Sequence, residues 1–433
     1  MYNAAGGRKK DMGNGSNLRK GLRCQICTGC GLCPGVTPAG ASAGSLCVLT
    51  EDALLGSKVP IMGNRRLAVA DIGTTTIAML LYDVDGSVTD RFVAVNPQTA
   101  YGADVLSRIR AAEHMEAAAD MQAMVRGQLE QGLKRFAGSL KSGEELYLVL
   151  AANTTMTYLL MGWDPAELGR APFCASHLSG AETKIGDVSC FVFPGLSAFV
   201  GGDIVAGIYA VNMCGREGLT LLLDLGTNGE MVLGNRERRI ACSTAAGPAF
   251  EGGVNRGVWG ADMISLLAKL RQEDILDETG LLAEPYFTRG IRIGNVTVTQ
   301  EAVRNVQLAK GAIAAGIEIL LKKYGAGLED VERVVLAGGF GYFLQSDAAV
   351  RIGLLPETLG KKTITGGNTA LAGAFMAGRR IVEEGKTDNI RVQLEKTVLQ
   401  TDVINLAEEP DFEKLYMSRL GLDQTSTSIK DFS

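Results

Sequence analysis

Beyond residue 66 the chain alternates short apolar runs, glycine-rich turns and longer stretches with apolar positions three or four apart. This is the pattern of strands joined by helices. Leu67-Ala-Val-Ala-Asp71-Ile-Gly73-Thr74-Thr75-Thr76 leads into Ile77–Leu81 and reads as strand, Gly-Thr turn, strand. Leu221-Leu-Leu-Asp224-Leu-Gly226-Thr227-Asn228-Gly229-Glu230 leads into Met231–Leu233 and repeats it, with Asp224 over Asp71 and Gly226 over Gly73. A repeat at this separation predicts a duplicated α/β domain, because solenoid periods are far shorter. Helices are expected over 103–138 and over Thr299–Tyr324, where Val303, Val306, Ala309, Ile313, Ile317 and Leu320 share one face. Further strands are expected at Leu146–Ala151 and Arg333–Ala337, and a last helix around Pro410–Leu420.

The pattern divides the chain into a tail (1–23), a cysteine module (24–47), a connector (48–66), two similar subdomains (67–215 and 216–380) and a C-terminal extension (381–433). A chain of 433 residues fits two or three domains. Its formal net charge of −5 argues against a general nucleic-acid binder. No apolar run approaches the roughly 20 residues of a membrane span. The basic, glycine-rich start lacks the apolar core of a secretory signal, so a cytoplasmic location is expected. Two histidines, His114 and His177, argue against a His-based triad or a multi-His zinc site. Nine cysteines are unevenly spread: Cys24, Cys27, Cys30, Cys33 and Cys47 crowd the first fifty residues. Cys174, Cys190, Cys214 and Cys242 are scattered and are expected to be small core residues.

The two Asp-x-Gly-Thr hairpins are the main chemical signal. Gly73, Thr74, Thr75 and Thr76, and Gly226, Thr227, Asn228 and Gly229, offer main-chain N–H groups and hydroxyls to phosphate oxygens. Asp71 and Asp224, at the strand ends, are placed to hold Mg²⁺ through water. Facing each other, the hairpins would clamp a polyphosphate from both sides. Apolar Val334–Ala337 runs into Gly338-Gly339-Phe340-Gly341, a turn that lets the backbone pass close to an adenine–ribose unit. No Gly-Lys-Ser/Thr follows, so it is not a Walker loop. Gly201-Gly202-Asp203 and Gly366-Gly367-Asn368 open small-residue helices suited to a close crossing at a hinge. Asp203 is a candidate base or water-orienting group facing the phosphates, or else a helix cap.

Cys24-x₂-Cys27-x₂-Cys30-x₂-Cys33-Pro34 is one residue short, at its last gap, of the bacterial [4Fe–4S] run. Cys24, Cys27 and Cys30 are expected as ligands, with Cys33 and Cys47 competing for the fourth place. Structural zinc is the weaker alternative, since it favours two knuckles separated by a longer loop.

Taken together, the hairpins, the late glycine turn and the two small-residue helices resemble the acetate kinase/sugar kinase/Hsp70/actin superfamily. The fold class expected is therefore α/β, duplicated actin-like (RNase H-like) ATPase domains with a small N-terminal iron–sulfur module. Closer still, the chain resembles the reductive activators of corrinoid proteins. The likeness runs from about Leu67 to Leu420 and rests on Asp71–Ile77, Asn96-Pro97-Gln98 with Tyr101–Ile109, Asn153–Met156, Asp224–Glu230, Ser243–Gly253, Gln307–Ile313 and Leu336–Gly341. It implies ATP hydrolysis with Mg²⁺, coupled to one-electron reduction of a Co(II) corrinoid to Co(I). It also implies a corrinoid protein and a low-potential electron donor as partners, and Asn153, Thr154, Ser243 and Glu251 as cleft residues. A module as small as 24–47 could be completed by a second copy, so a homodimer is expected. Better-known relatives carry a plant-type [2Fe–2S] domain at the N-terminus, which this cysteine spacing does not match. An activator of another low-potential enzyme (dehydratase or double-cluster reductase type), a small-molecule kinase and a non-catalytic metal-binding scaffold are the competing readings.

Overall fold

The computed structural model describes residues 61, 65–226, 228–245, 260–293, 296–338, 341 and 344–423. Cys24, Cys27, Cys30, Cys33, Cys47, Thr227, Glu251, Gly339 and Phe340 lie outside the described residues.

Two six-stranded sheets form the frame. The first combines β1 (Arg65–Ile72), β2 (Thr76–Tyr82), β3 (Val88–Val95), β4 (Glu145–Ala152), β5 (Ala181–Ile185) and β6 (Val188–Val192) in the order β3-β2-β1-β4-β6-β5. The second is built from β7 (Leu219–Leu225), β8 (Gly229–Gly234) and β9 (Arg239–Thr244) with, beyond a short β10–β11 ribbon (Ile291–Ile293, Val296–Val298), β12 (Val331–Ala337), β13 (Thr363–Gly367) and β14 (Thr401–Val403). Its order is β13-β12-β7-β8-β9-β14. The duplication is explicit in these orders. β3-β2-β1-β4-β6 and β9-β8-β7-β12-β13 match in sequence of neighbours and in direction, two antiparallel pairs followed by two parallel ones. The C-terminal extension contributes β14, which pairs in parallel with β9 and so belongs to the second sheet.

Period-two alternation decides which residues face where. In β1, Ala68, Ala70 and Ile72 pack outward against α1 (Val105–Ala112), α2 (Met115–Ala137) and α3 (Thr154–Met161). Leu67 and Val69 point the other way. In β7, Leu221, Leu223 and Leu225 pack outward with α5 (Gly260–Gln272) and α6 (Gln300–Tyr324), where α4 denotes Gly202–Ala210; Leu222 faces inward. Between the two inner faces lie α4 and α7 (Thr369–Glu384), in a core shared by both sheets. Helix α8 (Asp388–Leu399) and α9 (Phe412–Ser418) follow.

The helices expected over 103–138 are α1 and α2, parted at Glu113-His114, while Thr299 caps α6 by accepting from Ala302 N (3.2 Å) and Gly325 ends it at φ +76°. The small-residue helices do cross closely: a Cβ at Gly373 of α7 would stand 2.5 Å from the carbonyl carbon of Ala206 in α4. Among the scattered cysteines, Cys190 and Cys242 are core residues, with burial pushing both thiols far up in pKa. Cys214 is half-buried, and Cys174 is exposed in the connection between α3 and β5, contrary to the core expectation. Among the described residues no helix is long and apolar enough to cross a membrane.

Candidate functional site: a carboxylate-lined cleft between two hairpins

Asp71 and Asp224 occupy matching places at the C-terminal ends of the two central strands. Asp71 lies opposite Ala151 of β4, and Asp224 opposite Ala337 of β12. By strand parity both side chains belong to the inner faces, so they project into the space between the sheets. The turns differ by one residue. Gly73 N–H reaches Thr76 O at 2.9 Å, whereas Gly226 N–H reaches Asn228 O at 2.9 Å.

The first turn is fastened to its own lobe. Asn96 Nδ2 donates to Gly73 O (2.9 Å), Arg108 Nη2 to Thr74 O (2.6 Å) and Asn153 Nδ2 to Thr74 Oγ1 (3.2 Å). Asn153 also caps α3, accepting from Met156 N at 2.9 Å. Gly338 closes the second lobe's side. Its φ is +79°, and a Cβ there would stand 2.5 Å from Asp224 Oδ1, so glycine is required twice over. Gly201 plays a similar part, since a Cβ would meet Asn153 Cα at 2.5 Å.

Four carboxyls share the cleft: Asp71, Asp203, Asp224 and Glu230. Each is half-buried by surface area but crowded by protein around the cleft floor. That crowding dominates their titration. Burial pushes Asp71 up to about 6, opposed by the Asn368 hydrogen bond. It pushes Asp224 up to about 7 with help from the charge on Asp71. Asp203 rises to about 8, through burial first and then the charges of Asp71 and Asp224. Glu230 is driven well above the ordinary range by burial and by Asp203 and Asp224, against a hydrogen bond with the Asn228 side chain. Without a cation this cluster resists ionisation.

The arrangement sorts the sequence expectations. Asp203 joins the cluster and is not the cap of α4; Gly201 holds that position, and Asp203 Oδ1 accepts from Ile204 N at 2.9 Å. Two further residues, Asn368 and Glu230, stand in motifs that the sequence shows without giving them a role there, and both reach the same cleft. Asn368, the cap of α7, donates Nδ2 to Asp71 Oδ2 at 2.8 Å and so ties the second lobe's helix to the first lobe's aspartate. Glu230 pairs with Asp224 across β7–β8, where the matching position on β2 is Ala78 opposite Asp71. Hairpin parity puts it on the inner face, a signal available from the repeat itself. Among the described residues no three carboxylates, thiols or imidazoles converge closely enough to ligate one ion alone. The oxygen-only donor set suits Mg²⁺ that keeps water and phosphate oxygens in most of its places.

The linkage has a definite sign. Carboxyls whose native pKa exceeds the unfolded value near 4 stabilise the fold at low pH, and that contribution disappears as pH rises through the native values of about 6 to 8. Nucleotide-free protein is therefore expected to lose urea resistance between pH 5 and 8.5, and Asp203→Asn to flatten that slope. Equal slopes in the two proteins would reject the assignment.

Duplicated sheets, facing Asp-x-Gly-Thr turns and a helix pair crossing between them define the actin-like class of fold. Two family profiles match almost all of the chain beyond residue 66: "RACo middle region" over 67–216, and "C-terminal domain of RACo the ASKHA domain" over 218–257 and 254–432. The chain belongs to the RACo family. It is homologous to the corrinoid activation enzyme RamQ of Eubacterium limosum, at 29% identity over 80% of this chain and 68% of that protein. The [Co(II) methylated amine-specific corrinoid protein] reductase of Methanosarcina barkeri is 24% identical over 57% of this chain and 54% of that enzyme. The solved structure of a reductive activator for corrinoid, iron–sulfur protein superposes with a TM-score of 0.72 at 28% identity, covering 82% of this chain and 66% of the other. The chain thus spans from about half to about two thirds of the length of these relatives.

Proposed function

We propose that the chain is an ATP-hydrolysing reductive activator of a corrinoid protein, returning inactive Co(II) to Co(I). The carboxylate-lined cleft carries the nucleotide half of this reading. Asp71 and Asp224 would hold Mg²⁺ through water, and Gly73–Thr76 and Gly226–Gly229 would take the phosphates. Gly338–Gly341 would pass the adenine–ribose unit. Asp203 and Glu230 stand beside them and, with Mg²⁺ favouring their ionised forms, would accept a proton from an attacking water. The interlobe bond from Asn368 to Asp71 supports nucleotide-dependent closure, because it links the two halves at the point where the ion would sit.

The redox half is assigned to residues 24–47. Cys24, Cys27 and Cys30, with Cys33 or Cys47, form a thiolate donor set suited to a [4Fe–4S] cluster, which when bound supplies one low-potential electron. Each 30 mV of uphill transfer costs about 0.7 kcal/mol for one electron, so the free energy of ATP hydrolysis covers a gap of hundreds of millivolts. The low-potential reductant feeding the cluster would be a separate protein. We place the protein in the cytoplasm as a homodimer.

Anaerobically reconstituted protein mixed with a Co(II) corrinoid protein, reductant and Mg-ATP is expected to give the Co(I) absorbance, and to give none when ATP is omitted. Cys24→Ser should lose both iron and this activity while keeping ATP hydrolysis. Absence of ATP-dependent Co(I) with every corrinoid protein tried would discard the reading, and ATP-dependent phosphorylation of a small metabolite would replace it with a kinase.

A further inference from the structure

The string from Asn96 to Ile109 carries much of the family likeness yet lies outside the cleft, and the structure gives it a task. Asn96 and Arg108 are fully buried, in a layer directly behind the first turn. All three carbonyls of Gly73-Thr74-Thr75 are held from that side. Gly73 O accepts from Asn96 Nδ2 (2.9 Å), Thr74 O from Arg108 Nη2 (2.6 Å), and Thr75 O from the main-chain N–H of Asn96 (2.8 Å). In a trans peptide plane the carbonyl of one residue and the N–H of the next point in opposite directions. Fixing three consecutive carbonyls backwards therefore aims the N–H groups of Thr74, Thr75 and Thr76 forwards, away from the brace. Successive N–H groups presented this way form an anion-binding concavity.

The rest of the string delivers these two side chains. Asn96 Oδ1 accepts from Gln98 N (3.1 Å), which turns the amide's NH₂ toward Gly73, and Gln98 Nε2 is tied to Met121 O at 2.8 Å. Asp104 caps α1 by accepting from Ser107 N (2.8 Å) and Ser107 Oγ (2.9 Å), fixing where the helix starts. Gly102 permits close packing, since a Cβ there would collide with Ser107 Cβ, and its carbonyl accepts from Arg108 Nε at 3.0 Å. The guanidinium thus spans from Gly102 O to Thr74 O, a reach that depends on its planar fork.

We infer that Arg108 and Asn96 are positioning residues for phosphate recognition, shaping the Gly73–Thr76 turn from behind without touching the nucleotide. The inference rests on the nucleotide reading of the cleft. It differs from a general structural role in what it moves: recognition of the phosphate chain, not of the nucleoside.

The test measures ADP, ATP and adenosine binding, with Mg²⁺, by competition against a fluorescent adenine nucleotide. Arg108→Met is expected to weaken ATP and ADP by about tenfold or more, the usual scale for one hydrogen bond to a charged group, while adenosine binding stays unchanged. Arg108→Lys, which keeps the charge but reaches one carbonyl instead of two, should recover only part of the loss. If Arg108→Met does not fold, Arg108→Lys and Gly102→Ala read the same phosphate-to-nucleoside ratio. Equal weakening of adenosine and ADP in the variants, or no change in either, would overturn the inference. Failure of the wild-type protein to bind any adenine nucleotide would instead remove the nucleotide reading beneath it.

Discussion

Changing Asp224 to asparagine should leave a protein that is more stable without nucleotide and almost unable to turn ATP over. The first half follows from the electrostatics of the four clustered carboxyls. Asp224 is raised to about 7 by burial and by Asp71, and it in turn raises Asp203 and Glu230. An amide of the same shape removes one charge from four crowded carboxyls, so the denaturation midpoint at pH 8 should rise. The second half follows from the proposed chemistry. Mg²⁺ and developing phosphate charge need that carboxylate, and losing such an electrostatic partner costs about a hundredfold or more in turnover. Stability and activity then move in opposite directions, the pattern expected where a functional site is kept at the expense of the fold. Steady-state hydrolysis and urea melts on one preparation read both. An Asp224→Asn protein that hydrolyses ATP at the wild-type rate would remove Asp224 from the machinery, and one that is both inactive and unstable would point to a structural role.

The second large effect is expected at the helix crossing. Valine at Gly373 would force its Cβ onto the main chain of Ala206, with the carbonyl carbon 2.5 Å and Cα 2.8 Å away. The obstacle is backbone, so no rotamer relieves it. Helices α4 and α7 must separate, opening the core common to both sheets. Overpacking of this kind typically costs 1–3 kcal/mol, and about 3 kcal/mol or more is expected where a helix must move. Gly127, in α2, is the control, because a Cβ added there would meet nothing within 4 Å. There alanine should stabilise by about 0.5–1 kcal/mol through helix propensity. Thermal melts that place Gly373→Val beside the wild type would mean that the crossing is looser than its geometry.

The duplicated hairpin was legible because two physical constraints coincide in it. An inward aspartate must end an apolar strand, and a turn must follow at once. The helix pair was legible for a similar reason, since runs of Gly and Ala at i, i+3 and i+4 have little purpose except close approach. Asn368 and Glu230 were harder to see. The importance of Asn368 comes from a 2.8 Å bond spanning 297 residues, and local pattern carries no such distance. Glu230 sits inside the repeat, but its signal is a difference between the copies and not a shared residue: a glutamate stands opposite Asp224 where Ala78 stands opposite Asp71. The Gln307–Ile313 string also carries family likeness without belonging to the cleft. Gln307 Nε2 donates to Leu420 O (2.8 Å) and Lys310 to Gly421 O, fastening the C-terminal segment onto α6.

Helix α7 has one more consequence, which concerns synthesis instead of catalysis. It is encoded after the second sheet's central strands, yet it covers the first sheet: Phe375 stacks on Tyr82 with centroids 4.1 Å apart, and a Cβ at Gly378 would press on Leu67 (2.6 Å) and Val149 (3.0 Å). As the chain leaves the ribosome, α4 can pack on the inner face of the first sheet, but the part of β1 and β4 under α7 stays bare until Glu384 has emerged. The two halves repeat each other in topology, but the earlier one waits for the later one to close its core, a long-range pairing that slows folding and leaves the nascent first half dependent on protection from aggregation.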